Sequence, residues 1–310
     1  LPAFPPPEAM RRLLPPFLPL QQEEPAAFSA YRQFYGTAFA QAKTYSGLLR
    51  LLNYELVAQL WQPENPRATL IFLHGYYDHL GLYRHLIAWA LAQGFAVLSC
   101  DLPGHGLSSG ERASIGDFSE YQAVLSALLQ QAAALKLPQP WHLLGQSTGG
   151  GILLDYLLRG TVRPEVGQVA LLAPLIRPRA WLASKLLWRS LNPFAQNVKR
   201  RFSDNSGDSA FLAFVRSKDS LQPLRLPLRW VAALVRWIPK IESAAPSART
   251  ALLVQGDADM TLDWRHNLKV LEEKLPQTQR LLLPGARHHL VNETEDLRKT
   301  YFAFLAERMN

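Results

Sequence analysis

A chain of 310 residues that is 48% hydrophobic and 19% charged can bury a large core, which excludes disorder outside its ends. The single cysteine, Cys100, excludes an internal disulfide, and no His or Cys group has the spacing of a metal site, so neither metal nor cofactor is implied. No run approaches the ~18 consecutive apolar residues of a spanning helix, although peripheral membrane binding stays open.

The net charge of +8 is unevenly placed. Residues 175–245 hold thirteen Lys and Arg against four acids, so this stretch carries +9 and the remainder is nearly neutral. A basic patch on one segment suits an anionic surface or substrate, phospholipid head groups and nucleic acid being the two common kinds.

The first 25 residues contain eight prolines and the pair Arg11-Arg12, which predicts an extended arm across the surface rather than a packed element. The chain opens on Leu1 rather than Met, which leaves room for an upstream signal, anchor or tag. An aromatic stretch at 28–39 predicts a short helix, and alternation at 56–61 a strand. After Pro66, short apolar runs alternate with longer helical stretches. This rhythm predicts strands at 69–73, 95–100, 141–144, 169–173, 251–255 and 279–283, with helices at 83–93, 118–136, 149–159, 262–275 and 294–308. Parallel strands joined by right-handed crossover helices follow, as one sheet covered on both faces.

The rhythm breaks between Pro174 and Pro246, where no strand-like run is found and Trp, Arg and Pro recur with helical periodicity. The length is about twice that of a usual domain, and this break favours one α/β domain with an insertion over two domains. The expected organisation is an arm and short helix at 1–45, core at 46–174, a helical cap at 175–245 and core again at 246–310. Within the cap, Trp230, Leu234, Trp237 and Ile238 share a helical face opposite Arg229 and Arg236.

The run Gly145-Gln146-Ser147-Thr148-Gly149-Gly150 fits G-x-S-x-G between an apolar strand and a small-residue helix start. That context strains the serine backbone and presents its hydroxyl above the sheet, whereas a phosphate loop would need a lysine or G-x-G-x-x-G that is missing. A serine hydroxyl is a poor nucleophile at neutral pH and needs a base and a group to orient it. Gly256-Asp257-Ala258-Asp259 and Gly285-Ala286-Arg287-His288-His289 follow predicted strands, at the carboxyl ends where open α/β sheets place their sites. The residues alone allow Asp257 or Asp259 as the acid, the other serving as a helix cap, and His288 or His289 as the base. Leu73-His74-Gly75-Tyr76 closes another strand, where the backbone N–H groups of Tyr76 and Thr148 are candidates for an oxyanion hole.

With these pieces, residues 55–308 resemble the monoacylglycerol lipase and lysophospholipase branch of the α/β hydrolases, also described as serine aminopeptidase-like. The likeness rests on Leu73-His74-Gly75 with Asp78-His79, on the tract from Asp101 through Gly104-His105-Gly106 to Arg112, and on the turn at Ser147. It implies an α/β-hydrolase fold with an inserted helical cap, Ser147 as nucleophile, Asp259 as acid, His288 as base, and His105 and Arg112 as scaffold. Gln146 and Thr148 depart from the His and Met more usual in the family. The resemblance also implies that the cap forms an acyl pocket, for which Trp181, Trp188, Trp230 and Trp237 are the candidates. The expected activity is hydrolysis of lipid or small acyl esters, with an anionic membrane surface as a candidate partner of the basic cap. The rivals are a peptidase or amidase on the same triad and a catalytically idle adaptor. Nucleic-acid binding has no groove motif behind it, and compartment and oligomeric state are open.

Overall fold

The computed structural model describes residues 4–20, 24–191 and 194–309. An eight-stranded sheet runs through the molecule in the order β1-β2-β4-β3-β5-β6-β9-β10. Its strands are β1 (Ala42–Leu51), β2 (Tyr54–Pro63), β3 (Ala68–Leu73), β4 (Phe95–Cys100), β5 (Trp141–Gln146), β6 (Val166–Leu172), β9 (Leu252–Gly256) and β10 (Gln279–Leu283). Two further strands, β7 (Asn197–Lys199) and β8 (Arg225–Pro227), form a separate antiparallel pair. β1 and β2 form an antiparallel hairpin, β2 pairs antiparallel with β4, and every other neighbouring pair is parallel.

The central strands are unbroken apolar runs because both faces are covered. In β3, Ile71 and Leu73 enter one core while Leu70 and Phe72 enter the other, as the two-residue period of a strand requires. Helices α4 (Phe118–Ala134), α5 (Thr148–Arg159) and α9 (Trp264–Lys274) close the first face, and α3 (Arg84–Ala92) and α10 (Glu295–Ala306) the second. α4 starts cleanly because Asp117 and Glu120 form a reciprocal capping box. The alternating element pattern thus folds as expected, with most boundaries within two or three residues of those predicted.

The N-terminal expectation needs correction. Rather than an extended arm, the chain forms α1 (Pro7–Arg12) and α2 (Ala26–Tyr35) and buries Phe4, Met10, Leu14 and Phe17. Phe17 N–H donates to Leu48 O at 2.9 Å and Leu48 N–H to Pro15 O at 2.8 Å, so this segment covers the open edge of β1. Gly47 permits the crossing, since a Cβ there would press on the Phe17 backbone. The β1 strand was not foreseen, and α2 stops before residue 39 because Gly36 takes a left-handed C-cap at φ 68°.

Between β6 and β9 the chain leaves the sheet and forms α6 (Trp181–Leu191), α7 (Ser209–Ser217) and α8 (Leu228–Glu242) around the β7–β8 pair. The expectation of no strand here is corrected: each strand has three residues, too short to show a period. α8 packs Trp230, Leu234, Trp237 and Ile238 into the first core, while Arg229 and Arg236 remain exposed.

Candidate active site

The turn between β5 and α5 presents Ser147 at φ 53° and ψ −111°, a strained conformation for a residue with a side chain. Packing imposes it: Ser147 N–H donates to Leu172 O at 2.8 Å, and the Ser147 carbonyl accepts from Gly151 and Leu175, both at 2.9 Å. Glycines on either side are steric requirements. A Cβ on Gly145 would collide with the Gly149 backbone, and one on Gly149 with the Leu73 carbonyl.

Three sequence-distant groups meet at this turn. His288 Nε2 lies 2.9 Å from Ser147 Oγ, and His288 Nδ1 lies 2.7 Å from Asp259 Oδ2. Because a carboxylate only accepts, Nδ1 carries the hydrogen and Nε2 is left to accept from the serine hydroxyl. Ser147, His288 and Asp259 are 9%, 6% and 3% exposed, so all three are shielded from bulk water. Burial pushes the Asp259 carboxyl up. The His288 ring and hydrogen bonds from the Leu262 and Thr261 amides outweigh it and hold the carboxyl below its ordinary value.

The alternative acid and base have other partners. Asp257 Oδ1 accepts from Gly285 N–H at 2.7 Å, and His289 Nε2 donates to Asp78 Oδ1 at 3.1 Å. Asp78 also accepts from the Tyr83 hydroxyl at 2.9 Å, and that hydroxyl accepts from Gly75 N–H at 2.8 Å. His289 therefore ties the loop that carries His288 to the turn after β3.

That turn lies against Ser147: a Cβ built on Gly75 would stand 3.4 Å from Ser147 Cβ. Among the described residues, neither the Tyr76 nor the Thr148 N–H donates to a protein acceptor. Below them His74 donates from Nδ1 to Gly75 O and accepts at Nε2 from Leu102 N–H, both at 2.8 Å. Both ring nitrogens are thus used in the neutral form, and burial lowers the pKa of this ring. Arg112 donates to Gly106 O and Leu221 O, and His105 Nδ1 lies 2.9 Å from Pro103 O, so both act within the scaffold.

Two buried contacts on the elements around Ser147 are not evident from the sequence. Gln146 Nε2 donates to the His288 carbonyl at 2.9 Å, and His79 Nε2 bonds Asp219 Oδ2 at 2.9 Å, fully buried. The sequence marks Gln146 only as a departure from the family pattern and His79 only as part of a motif.

The four tryptophans differ in their surroundings. Trp237 is buried against Phe118 at 4.6 Å and donates to Asp155 Oδ2 at 2.8 Å, which places it in the core. Trp230 donates to the Tyr121 hydroxyl at 3.2 Å and stacks on Tyr76, reaching the site only through that ring. Trp181 is buried in the first core, and half-buried Trp188 bonds Leu228 O at 3.2 Å.

A mostly parallel sheet with a strained serine at a strand-to-helix turn, an imidazole and a carboxylate behind it, defines an α/β hydrolase. The chain belongs to the family described as serine aminopeptidase, S33, whose model matches residues 64–295. It is 27% identical over 249 residues to a monoacylglycerol lipase of Mycolicibacterium smegmatis, covering 77% of this chain and 88% of that protein. It is also 27% identical over 278 residues to human monoglyceride lipase, covering 84% and 90%, and 27% identical over 187 residues to phospholipase YtpA of Bacillus subtilis, covering 57% and 70%. Among solved structures, a soluble variant of monoglyceride lipase from Saccharomyces cerevisiae superposes with a TM-score of 0.72 at 19% identity, covering 84% of this chain and 92% of that one, a likeness of fold.

Proposed function

We propose that this chain, a serine ester hydrolase of that family, cleaves lipid acyl esters through an acyl-enzyme on Ser147. The observation that carries the reading is the continuous contact from Ser147 Oγ through His288 to Asp259, at 2.9 and 2.7 Å. His288 takes the serine proton as Oγ attacks the ester carbonyl, and Asp259 stabilises the imidazolium that forms. The developing oxyanion accepts from the Tyr76 and Thr148 amides, each such donor contributing about 3 kcal/mol to transition-state stabilisation. His288 then protonates the leaving alcohol. Water, activated by the same ring, attacks the acyl-enzyme carbonyl and releases the fatty acid and the free serine.

The lipid substrate is supported by the relatives, named monoacylglycerol lipases and a phospholipase. A second support is surface chemistry. In the segment 175–245, which we assign as the cap, Leu182, Leu186, Leu187 and Phe194 are exposed on α6 and just beyond it, with Lys185 and Arg189 on the same helix. Apolar side chains interleaved with cations suit the surface of an anionic bilayer.

The test is a panel of monoacylglycerol, lysophospholipid, diacyl phospholipid, short p-nitrophenyl esters and aminoacyl amides, with and without anionic vesicles. Wild-type protein releases fatty acid from monoacyl lipids, faster with anionic vesicles, and Ser147→Ala releases none. Turnover of the amides with no release from the esters would overturn the reading in favour of an amidase.

A further inference from the structure

The turn that carries the Tyr76 amide is held by the inserted segment from two sides. On one side Trp230 of α8 stacks on the Tyr76 ring at 3.9 Å and 19°. Tyr76 lies 4.1 Å from the Tyr77 ring, and the other end of this ladder is Arg200, which follows β7. The Arg200 Cζ stands 3.9 Å from the Tyr77 centroid and 4.3 Å from that of Phe202. Trp230, Tyr76, Tyr77, Arg200 and Phe202 thus form one ladder whose two middle rings belong to the sheet domain and whose ends belong to the insertion.

Arg200 holds the same turn by a second route. Its Nη1 donates to Gln222 Oε1 at 2.7 Å and to Pro223 O at 3.1 Å, and Gln222 Nε2 donates to Asp219 Oδ2 at 2.8 Å. Asp219 in turn holds His79, two residues beyond Tyr77. Tyr77 needs such restraint, since its φ of 70° lies in the left-handed region that side chains disfavour. Unrestrained, the residue would relax toward negative φ and rotate the Tyr76–Tyr77 peptide plane, which shifts the backbone that carries the Tyr76 N–H.

We infer that Arg200 is a positioning residue for the oxyanion hole, clamping the Tyr76–Tyr77 turn from the inserted segment. The segment is then part of the catalytic apparatus as well as a cover, and its displacement from the sheet domain weakens transition-state binding before it changes substrate affinity. A planar cation is required: lysine supplies the charge without the flat face that lies against the Tyr77 and Phe202 rings.

The inference rests on the acyl-enzyme reading above, and the experiment separates the two. Arg200 is only partly buried, so the full chain tolerates Arg200→Ala and Arg200→Lys better than a change at Trp230. With a soluble short-chain p-nitrophenyl ester, Arg200→Ala lowers kcat about 10- to 100-fold while KM stays within about threefold, because an oxyanion donor acts on the transition state and its complete loss costs about 10²–10³-fold. Affinity for an alkyl boronic acid, which forms a tetrahedral adduct on the serine, falls by the same factor. Arg200→Lys falls between alanine and wild type. Unchanged kcat in Arg200→Ala, or a loss of folded protein with unchanged boronic acid affinity per active site, overturns the clamp. If wild-type protein takes no fluorophosphonate label on Ser147, the acyl-enzyme reading fails instead.

Discussion

Gln146 Nε2 reaches the His288 carbonyl at 2.9 Å, so the residue before Ser147 holds the loop that carries His288. Both are buried, and the bond spans 142 positions of sequence. Replacing Gln146 by alanine leaves that carbonyl without its side-chain donor, at a cost of about 1–3 kcal/mol. We expect kcat to fall about 10-fold, with the acid limb of the pH–rate profile changed more than KM. Steady-state kinetics between pH 5 and 9 checks this.

Asp259 orients His288 and also accepts the Thr261 and Leu262 amides, at 2.8 and 3.0 Å. Asn at this position keeps the shape but can present an N–H to Nδ1, which favours the wrong tautomer. Asp259→Asn therefore lowers kcat about 10⁴-fold by analogy with the same change in other triads. Circular dichroism should show the fold intact while ester hydrolysis is nearly lost.

The elbow has no room for side chains. Gly149→Ala places a methyl group against the Leu73 carbonyl, which is backbone and cannot move aside. The expected loss exceeds about 3 kcal/mol, at the severe end for single substitutions. Urea unfolding of Gly149→Ala beside wild type measures it.

The His79–Asp219 pair gives a stability signature in pH. Burial alone would raise the Asp219 carboxyl, but the His79 ring and hydrogen bonds from His79, Gln222 and Tyr35 overcome it and hold the group down at about 2. Burial likewise opposes charging of His79, and the Asp219 carboxylate outweighs it, so this ring titrates above 6.5. Asp219 contributes stability above its ordinary value of 3.8 and loses it as pH falls toward about 2; His79 contributes below 6.5 and loses it as pH rises through its folded value. Asp219→Asn should cost about 3 kcal/mol between pH 4 and 6.5, since breaking a buried pair strands the partner. The difference from wild type should shrink on either side of that window, as thermal unfolding across pH will show.

The sheet and the three groups that meet at Ser147 were legible because their signals are local. Gly145 to Gly150 state a strained turn in six consecutive residues, and the strands before Asp259 and His288 show as apolar runs. The choice between Asp257 and Asp259 was not local: both follow β9, and only the three-dimensional path turns Asp259 toward the imidazole while Asp257 bonds Gly285. The same holds for Gln146 with His288, for His79 with Asp219 and for Tyr77 with Arg200, pairs separated by more than a hundred residues. The N-terminal segment departs from expectation because prolines favour extension, whereas the apolar residues between them, Phe4, Met10, Leu14 and Phe17, anchor it.

The most direct measurement is to react the native protein with a fluorophosphonate, digest it and locate the adduct by mass spectrometry. A single adduct on Ser147 is expected, formed at a rate that collapses in a His288→Ala variant. Labelling at another residue, or none on a folded wild-type chain, would contradict it.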